Sequence, residues 1–421
     1  MFYLADLGVT WEKAELSNGI PVHFFMKKGS PVTFFIVFPV GSTSDPEGKK
    51  GITHFLEHAI YKSEEGGRDL GTRIEEMGGH LNGYTSNDEV AFHAQIGDFG
   101  DFDELVGLFA GAFLDYKVSS GVIDTERGVI IQELQNDYAD PKDMLGGILE
   151  PKAMFAGTQY ENPVIGTAEN LHATSDKDLE DMLKTVLSYQ PIILVTGDFD
   201  SDPALNSLEK HFKLDNNLMP VRPKKLTFGK LKNLTHKMDV DFINASMGFR
   251  GCEIFHDDSL GLDFLSTALG SGALSTILMK RIRKELGLVY FIYTHFDALV
   301  NAGALMVTFG TEKQNLKRVY KEIKEIMKRI VETGLTDGEL KFTKQLILKS
   351  TKIRYEKVLP VALEHRVGEL FNPDNYYTLE KYLNAVEKIT NKDLVGIAQK
   401  YLSPDEANYM AVGNVEISDL V

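Results

Sequence analysis

The spacing of apolar residues changes period several times along the chain. After an Asn18-Gly19 turn, "IPVHFFM" reads as a strand, and the apolar run "PVTFFIVFPV" has the length of a buried one. "VAFHAQI" alternates, with Val90, Phe92, Ala94 and Ile96 on one face. Further on, "VYFIYTHFDAL" and "ALMVTFG" flank an Asn-Ala-Gly turn as the arms of a hairpin would. The stretch "LKRVYKEIKEIMKRIV" sets Leu316, Val319, Tyr320, Ile323, Ile326, Met327, Ile330 and Val331 at helical spacing and stops at Gly334.

The pattern occurs twice. "SDKDLEDMLKTVLSYQPIILVTGDF" is echoed by "TNKDLVGIAQKYLSPDEANYMAVGNV": a Ser or Thr cap, Lys-Asp-Leu, a helix, then a strand closing on Gly197 or Gly413. Asp178 and Asp393 are 215 positions apart; Asp124 and Asp337, in a second pair of matching helices, are 213 apart. Two separate matches at nearly one spacing predict a duplicated α+β domain, each copy a largely antiparallel sheet with helices packed on one face. The expected division is residues 1–213, a linker over 214–233 containing "MPVRPKK", and residues 234–421.

Composition narrows the chemistry. The 421 residues carry a formal charge of −16, which disfavours nucleic acid and anionic membrane surfaces. No stretch is long and apolar enough to span a bilayer, and the start "MFYLADLGVTWEKAELSNG" lacks a basic and apolar leader, so the expected location is cytoplasmic. The lone Cys252 can form no intrachain disulfide and belongs to no thiolate cluster, so any metal must be held by His and carboxylate.

"GITHFLEHAIY" supplies such donors. Ile52, Phe55, Leu56, Ala59 and Ile60 form the core-facing stripe of a helix, leaving His54, Glu57 and His58 on the other side. Residues four apart are offset by only ~40° and ~6 Å, so both imidazoles can converge on one divalent cation. Glu57 then lies beside the ion and suits a base that takes a proton from water. A solvated helical face is the competing reading; composition alone yields about 0.04 matches to this His-x-x-acid-His pattern. Two histidines also leave a catalytic zinc site one ligand short.

In "DTERGVIIQELQND", Glu126 and Glu133 are two helical turns apart on nearly one line, beside the stripe that contains Ile130. Glu133 could be the third ligand and Glu126 a carboxylate that orients one. Equally, both could be surface glutamates with Arg127 between them. The duplication bears on the choice, because Leu346 stands where the second copy would repeat Glu133, and "STALGSGALST" replaces the histidine helix.

His54-Phe-Leu-Glu57-His58 followed by Glu133 in "ERGVIIQE" resembles the pitrilysin, insulin-degrading enzyme and mitochondrial processing peptidase family of zinc endopeptidases. The resemblance implies one zinc ion per chain on His54, His58 and Glu133, with Glu57 as base and Glu126 in support. "GGHLNGYTSNDEVAFH" looks like the family's edge strand that pairs with the substrate backbone, which would put Asn82, Gly83 and Tyr84 at the cleft; Gly83 stands where the family usually has Ala. "LGSGALSTILMKRIRKELGLVYFIY" looks like its second-domain signature, in which Arg283 and Tyr290 would face the zinc and Tyr290 would help to stabilise the tetrahedral intermediate. A chain with two such domains is then expected to cleave unfolded peptides as a homodimer with shared active sites. A subunit of a heterodimeric peptidase and a non-catalytic scaffold of the same fold are the alternatives.

Overall fold

The computed structural model describes residues 7–214, 218–270, 273–374 and 378–420, without the side chain of His365. Ser271 and Gly272 of the segment that resembles the second-domain signature, residues 215–217 of the expected linker and the first six residues lie outside the described residues. Contacts divide the chain into two compact units, each assembled from separate stretches. One comprises Met1–Leu134, Val164–Pro223 and Lys352–Glu380; the other comprises Gln135–Pro163, Lys224–Thr351 and Lys381–Val421.

The first unit is built on β1 (Thr10–Glu15), β2 (Pro21–Met26), β3 (Val32–Phe38), β4 (His80–Thr85), β5 (Val90–Ile96) and β6 (Ile192–Gly197), in the order β1-β2-β6-β3-β5-β4. All neighbours are antiparallel except β2 and β6. Alternation divides the side chains: Val32, Phe34, Ile36 and Phe38 of β3 and Val90, Phe92, Ala94 and Ile96 of β5 join the main helical core. There Phe34 packs on Phe109 at 5.0 Å between ring centres and Phe38 on Phe113 at 5.6 Å. Each fully buried Phe contributes about 2–3 kcal/mol, so this layer supplies much of the unit's cohesion. Among the described residues strand β4 pairs only with β5 and, like β1 at the other side, is an edge of the sheet.

The second unit repeats the plan. Its strands β7 (Leu234–Lys237), β8 (Phe242–Arg250), β9 (Phe291–Ala298), β10 (Gly303–Glu312) and β11 (Asn408–Gly413) are ordered β9-β10-β8-β11-β7, with β7 and β11 the one parallel pair. This is the first sheet without β1. The repeated caps are present as capping boxes, Ser175 with Asp178 and Thr390 with Asp393, and the strands that follow end on Gly197 (φ 132) and Gly413 (φ 140). Helix Leu316–Thr333 buries the stripe read from the sequence, save the half-buried Val331, and ends at Gly334 (φ 72).

An exchange of equivalent segments explains the interlaced units. The helical stretch from Pro141 to Met154 and the helix Val358–Phe371 start 217 positions apart, close to the spacing of 213–215 between the matching segments. The first packs Met144, Leu145, Ile148 and Leu149 with Ala304, Met306, Met410 and Val412 of the five-stranded sheet. The second packs on β2, β3 and β6, covering the face of the six-stranded sheet opposite the main helical layer. A division at 213/234 assigns each copy its own segment, whereas packing assigns it the other's. None of the described helices is long and apolar enough to cross a membrane.

The exchanged helix carries charge into the first unit. Arg366 places Nη2 at 2.7 Å from Glu89 Oε1, and its Nε donates to the same oxygen (2.8 Å) and to Tyr84 Oη (2.9 Å). Only 4% of the Glu89 side chain is exposed, so removing the guanidinium strands a buried carboxylate. Arg366→Ala is expected to cost about 3 kcal/mol of stability, read as a lowered urea midpoint for the transition of this unit.

Candidate metal centre

Helix α1 (Ile52–Tyr61) begins at Gly51, whose φ of 93° and close approach to Ile165 O, 2.4 Å from where a Cβ would stand, admit only glycine. Its first turn is capped from a distance. Asp45 accepts from Gly51 N (2.7 Å), Thr53 N (3.2 Å) and Thr53 Oγ1 (2.5 Å), satisfying donors that the helix leaves unpaired. Burial raises the Asp45 pKa to about 6 against these hydrogen bonds. The apolar stripe of α1 is buried as expected, and it turns His54, Glu57 and His58 toward helix α2 (Ser120–Ala139).

Arg127 sets α2 against α1. Its guanidinium lies over the Phe55 ring at 5.2 Å and donates to the carbonyls of Leu171 and Thr174 (2.8 Å to the latter). It also lies 3.5 Å from Asp124. With Ile123, Ile130 and Leu134 buried, the same rotation of α2 brings Glu126 and Glu133 alongside the histidines.

Glu133 Oε2 lies 3.9 Å from His54 Nε2 and 3.9 Å from His58 Nε2. These separations are too long for hydrogen bonds. Tetrahedral zinc with ligands at ~2.0–2.2 Å spaces its donors by about 3.4 Å, so a small inward movement of the half-exposed Glu133 would close the set. Among the described residues, His54, His58 and Glu133 are the one group of three His, Cys, Asp or Glu with donor atoms all within 4.8 Å of one another. Two neutral nitrogens and one carboxylate suit zinc and leave a fourth position open. Burial, aided by His58, holds the His54 pKa down at about 4, so this imidazole is a free base at neutral pH.

His58 is oriented by Glu126, whose Oε2 is 3.3 Å from His58 Nδ1, with Lys62 Nζ 3.6 Å from the other oxygen. Donation from Nδ1 to the carboxylate leaves the Nε2 lone pair directed toward Glu133. Were a zinc ion held by this set, Glu126→Ala would weaken its binding about 10–100-fold without changing its stoichiometry, measured by competition with a chelator.

Glu57 is buried, 6% exposed. Thr85 Oγ1 donates to its Oε2 (2.7 Å) and Tyr61 Oη to its Oε1 (3.1 Å). Burial raises its pKa, with Glu133 adding to the rise, while these two hydrogen bonds and His58 oppose it. The carboxylate is held by two hydroxyls, an arrangement suited to exchanging protons. Neither Tyr61 nor Thr85 was singled out by the sequence pattern, although Tyr61 follows Glu57 at the i+4 helical interval and Thr85 stands in the edge-strand segment.

The edge strand β4 brings in its residues unequally. Gly83 and Thr85 face α1, and Gly83 N donates to the exposed Asn82 side chain (2.7 Å). Tyr84 turns its ring to the opposite face, where it lies 6.3 Å from Phe35 and donates to Glu89 (2.5 Å). His93 shares that face, stacked on Phe35 at 4.7 Å, and His80 is exposed at the start of β4. Arg283 and Tyr290 belong to the second unit, and both are exposed, Tyr290 to 74%. Tyr290 immediately precedes β9, donates its N–H to Gly310 O (2.9 Å) and meets Phe242 edge-on.

Residues 27–168 match the profile described as Insulinase (Peptidase family M16), and residues 190–347 match that described as Peptidase M16 inactive domain. The chain is similar to an uncharacterized zinc protease of Mycobacterium leprae, 27% identical over 86% of this chain and 83% of that protein. Among solved structures it is similar to a protease from Helicobacter pylori, with a TM-score of 0.83 and 21% identity over 96% of this chain and 99% of that one. It is also similar to a peptidase M16 inactive domain from Pseudomonas fluorescens, with a TM-score of 0.85 and 15% identity over 97% and 98% of the two chains. The structural likenesses establish the fold, which both kinds of neighbour share. With the profiles of two successive domains matched in order over most of its length, the chain belongs to the M16 (insulinase) family of peptidases.

Proposed function

We propose that the protein is a zinc endopeptidase that cleaves extended or unfolded peptides. The observation that carries this reading is the buried Glu57 carboxylate, held by Thr85 and Tyr61 on the same helix as two histidines that converge with Glu133. A zinc ion held by His54, His58 and Glu133 supplies Lewis acidity toward a water molecule and the scissile carbonyl. Glu57 takes a proton as the water oxygen adds to the carbonyl carbon, then delivers it to the departing amine nitrogen as the C–N bond breaks. Glu126 keeps His58 in the required tautomer throughout.

Strand β4 would receive the peptide. Its free edge offers Gly83 N–H, which Asn82 Oδ1 occupies at 2.7 Å and which a substrate carbonyl would take over in an added strand. Such pairing reads backbone rather than side chains, which favours unfolded substrates. The purified protein with one equivalent of zinc should cleave a random peptide library, read by mass spectrometry, and a chelator should stop it. Zinc binding with no cleavage of any unstructured peptide would favour a non-catalytic scaffold.

The remaining donors come, on this reading, from a second copy. Arg283 and Tyr290 are exposed, and Tyr290 of the partner subunit would donate to the developing oxyanion. Mixing a Glu57→Gln chain with a Tyr290→Phe chain should restore activity, because one of the two shared sites is then intact. Absence of recovery after subunit exchange would argue for sites completed within one chain or by a different partner.

A further inference from the structure

Gly83 and Tyr61 occupy one space. A Cβ on residue 83 would stand 1.9 Å from Tyr61 Oη and 2.5 Å from Ala91 O. The first contact lies far inside van der Waals range and cannot coexist with the hydroxyl where it is. That hydroxyl is the group donating to Glu57 Oε1 at 3.1 Å. The ring is fixed behind it, edge-on to Phe92 at 6.0 Å between ring centres, so the hydroxyl has little freedom to move aside while keeping its hydrogen bond. Burial and the adjacent Glu57 keep Tyr61 protonated, which makes it a donor here.

We propose that Tyr61 is a positioning residue that fixes the Glu57 carboxylate, and that position 83 is glycine in order to admit the Tyr61 hydroxyl. The kinetic part of this inference rests on the peptidase reading; the packing part does not. Two hydroxyls hold the two oxygens of Glu57, Thr85 on Oε2 and Tyr61 on Oε1, so the carboxylate plane is defined only when both are present. Phenylalanine at 61 keeps the ring and its contacts and removes one of the two holders. Alanine at 83 displaces the same hydroxyl by pushing on it. The two substitutions therefore reach Glu57 by one route, and their effects should not add.

The test is a double-mutant cycle on Tyr61→Phe, Gly83→Ala and the pair, with two independent readouts. In metal-free protein, Gly83→Ala should lower the unfolding midpoint of the first unit at least twice as far in the parent as in the Tyr61→Phe background. A residual loss remains in both, because the contact with Ala91 O does not depend on Tyr61. Crystal structures should show the Glu57 carboxylate rotated or divided between positions in Tyr61→Phe. Equal midpoint losses in the two backgrounds, or an unmoved and equally ordered Glu57, would overturn the proposal without reference to activity. In zinc-loaded protein, Tyr61→Phe should lower kcat about tenfold, the effect of one lost hydrogen bond to a charged group, with KM and zinc affinity within twofold of the parent. The double variant should have the kcat of Tyr61→Phe. A change confined to KM, or kcat losses that multiply, would contradict it. A parent that binds zinc and cleaves nothing would count against the peptidase reading and leave the midpoint cycle and the Glu57 positions to decide the packing claim.

Discussion

Glu57→Gln is expected to lower peptide cleavage by roughly 10³-fold, equivalent to about 4 kcal/mol of lost transition-state stabilisation, while one zinc ion per chain stays bound. The amide has the shape of the carboxylate but cannot accept the proton of the attacking water. Its local fit survives: one end of the amide still accepts a hydroxyl, and the Tyr61 or Thr85 hydroxyl at the other can rotate to accept from the amide N–H. Because Glu57 is not among the converging donors, zinc titration of the variant should match the parent. Single-turnover cleavage with excess enzyme, measured beside metal content, separates the two effects. Zinc loss together with activity would mean that Glu57 helps to hold the ion, and unchanged cleavage would remove it from the chemistry.

Glu133→Ala should act in the opposite place. Its side chain is 47% exposed, so on a purely structural account its removal would fall within about 0.5 kcal/mol of neutral and leave metal content alone. On the reading proposed here it takes away one of three ligands and the only anionic one, leaving two neutral imidazoles. Zinc affinity should then fall by more than ~100-fold, beyond the range expected for a supporting partner such as Glu126. Activity should be lost at stoichiometric zinc and return in part only at large excess. A chelator-competition titration of the folded variant distinguishes the accounts.

Several strands and the pairing of one hairpin were legible because their apolar runs keep a strict period: β3 as an unbroken buried run, β5 by alternation, and the hairpin of β9 and β10 by its Asn-Ala-Gly turn. The histidine helix was legible for the same reason, its five apolar positions leaving only one side for His54, Glu57 and His58. Glu126 and Glu133 could be placed by helical geometry, yet their partners could not, since Arg127 was as plausible a neighbour as the histidines until Leu171 and Thr174 took its donors. Alternation also divides the edge strand between the two faces of the sheet. Asn82, Gly83 and Tyr84 are consecutive in a strand and cannot all face one side; Tyr84 serves the Arg366–Glu89 cluster instead.

Other features had no local signal. Asp45 caps a helix that starts seven residues later, outside any window in which capping residues are sought. The crowding at position 83 comes from a tyrosine 22 positions away and from the Ala91 carbonyl across the strand pair, and becomes visible only when these groups meet in space. The exchange of the helical segments starting at 141 and 358 is likewise a choice between two equivalent sheets, for which the repeat itself provides no preference.

All of the chemistry depends on one cation among three side chains with Glu57 beside it. Anomalous diffraction at the zinc edge, from crystals grown with one equivalent of zinc, tests that placement directly. A single strong peak per chain is expected about 2.0–2.2 Å from His54 Nε2, His58 Nε2 and a Glu133 carboxylate oxygen, with Glu57 outside bonding distance. A peak on other residues, or a triad without one while zinc is bound elsewhere in the chain, would contradict it.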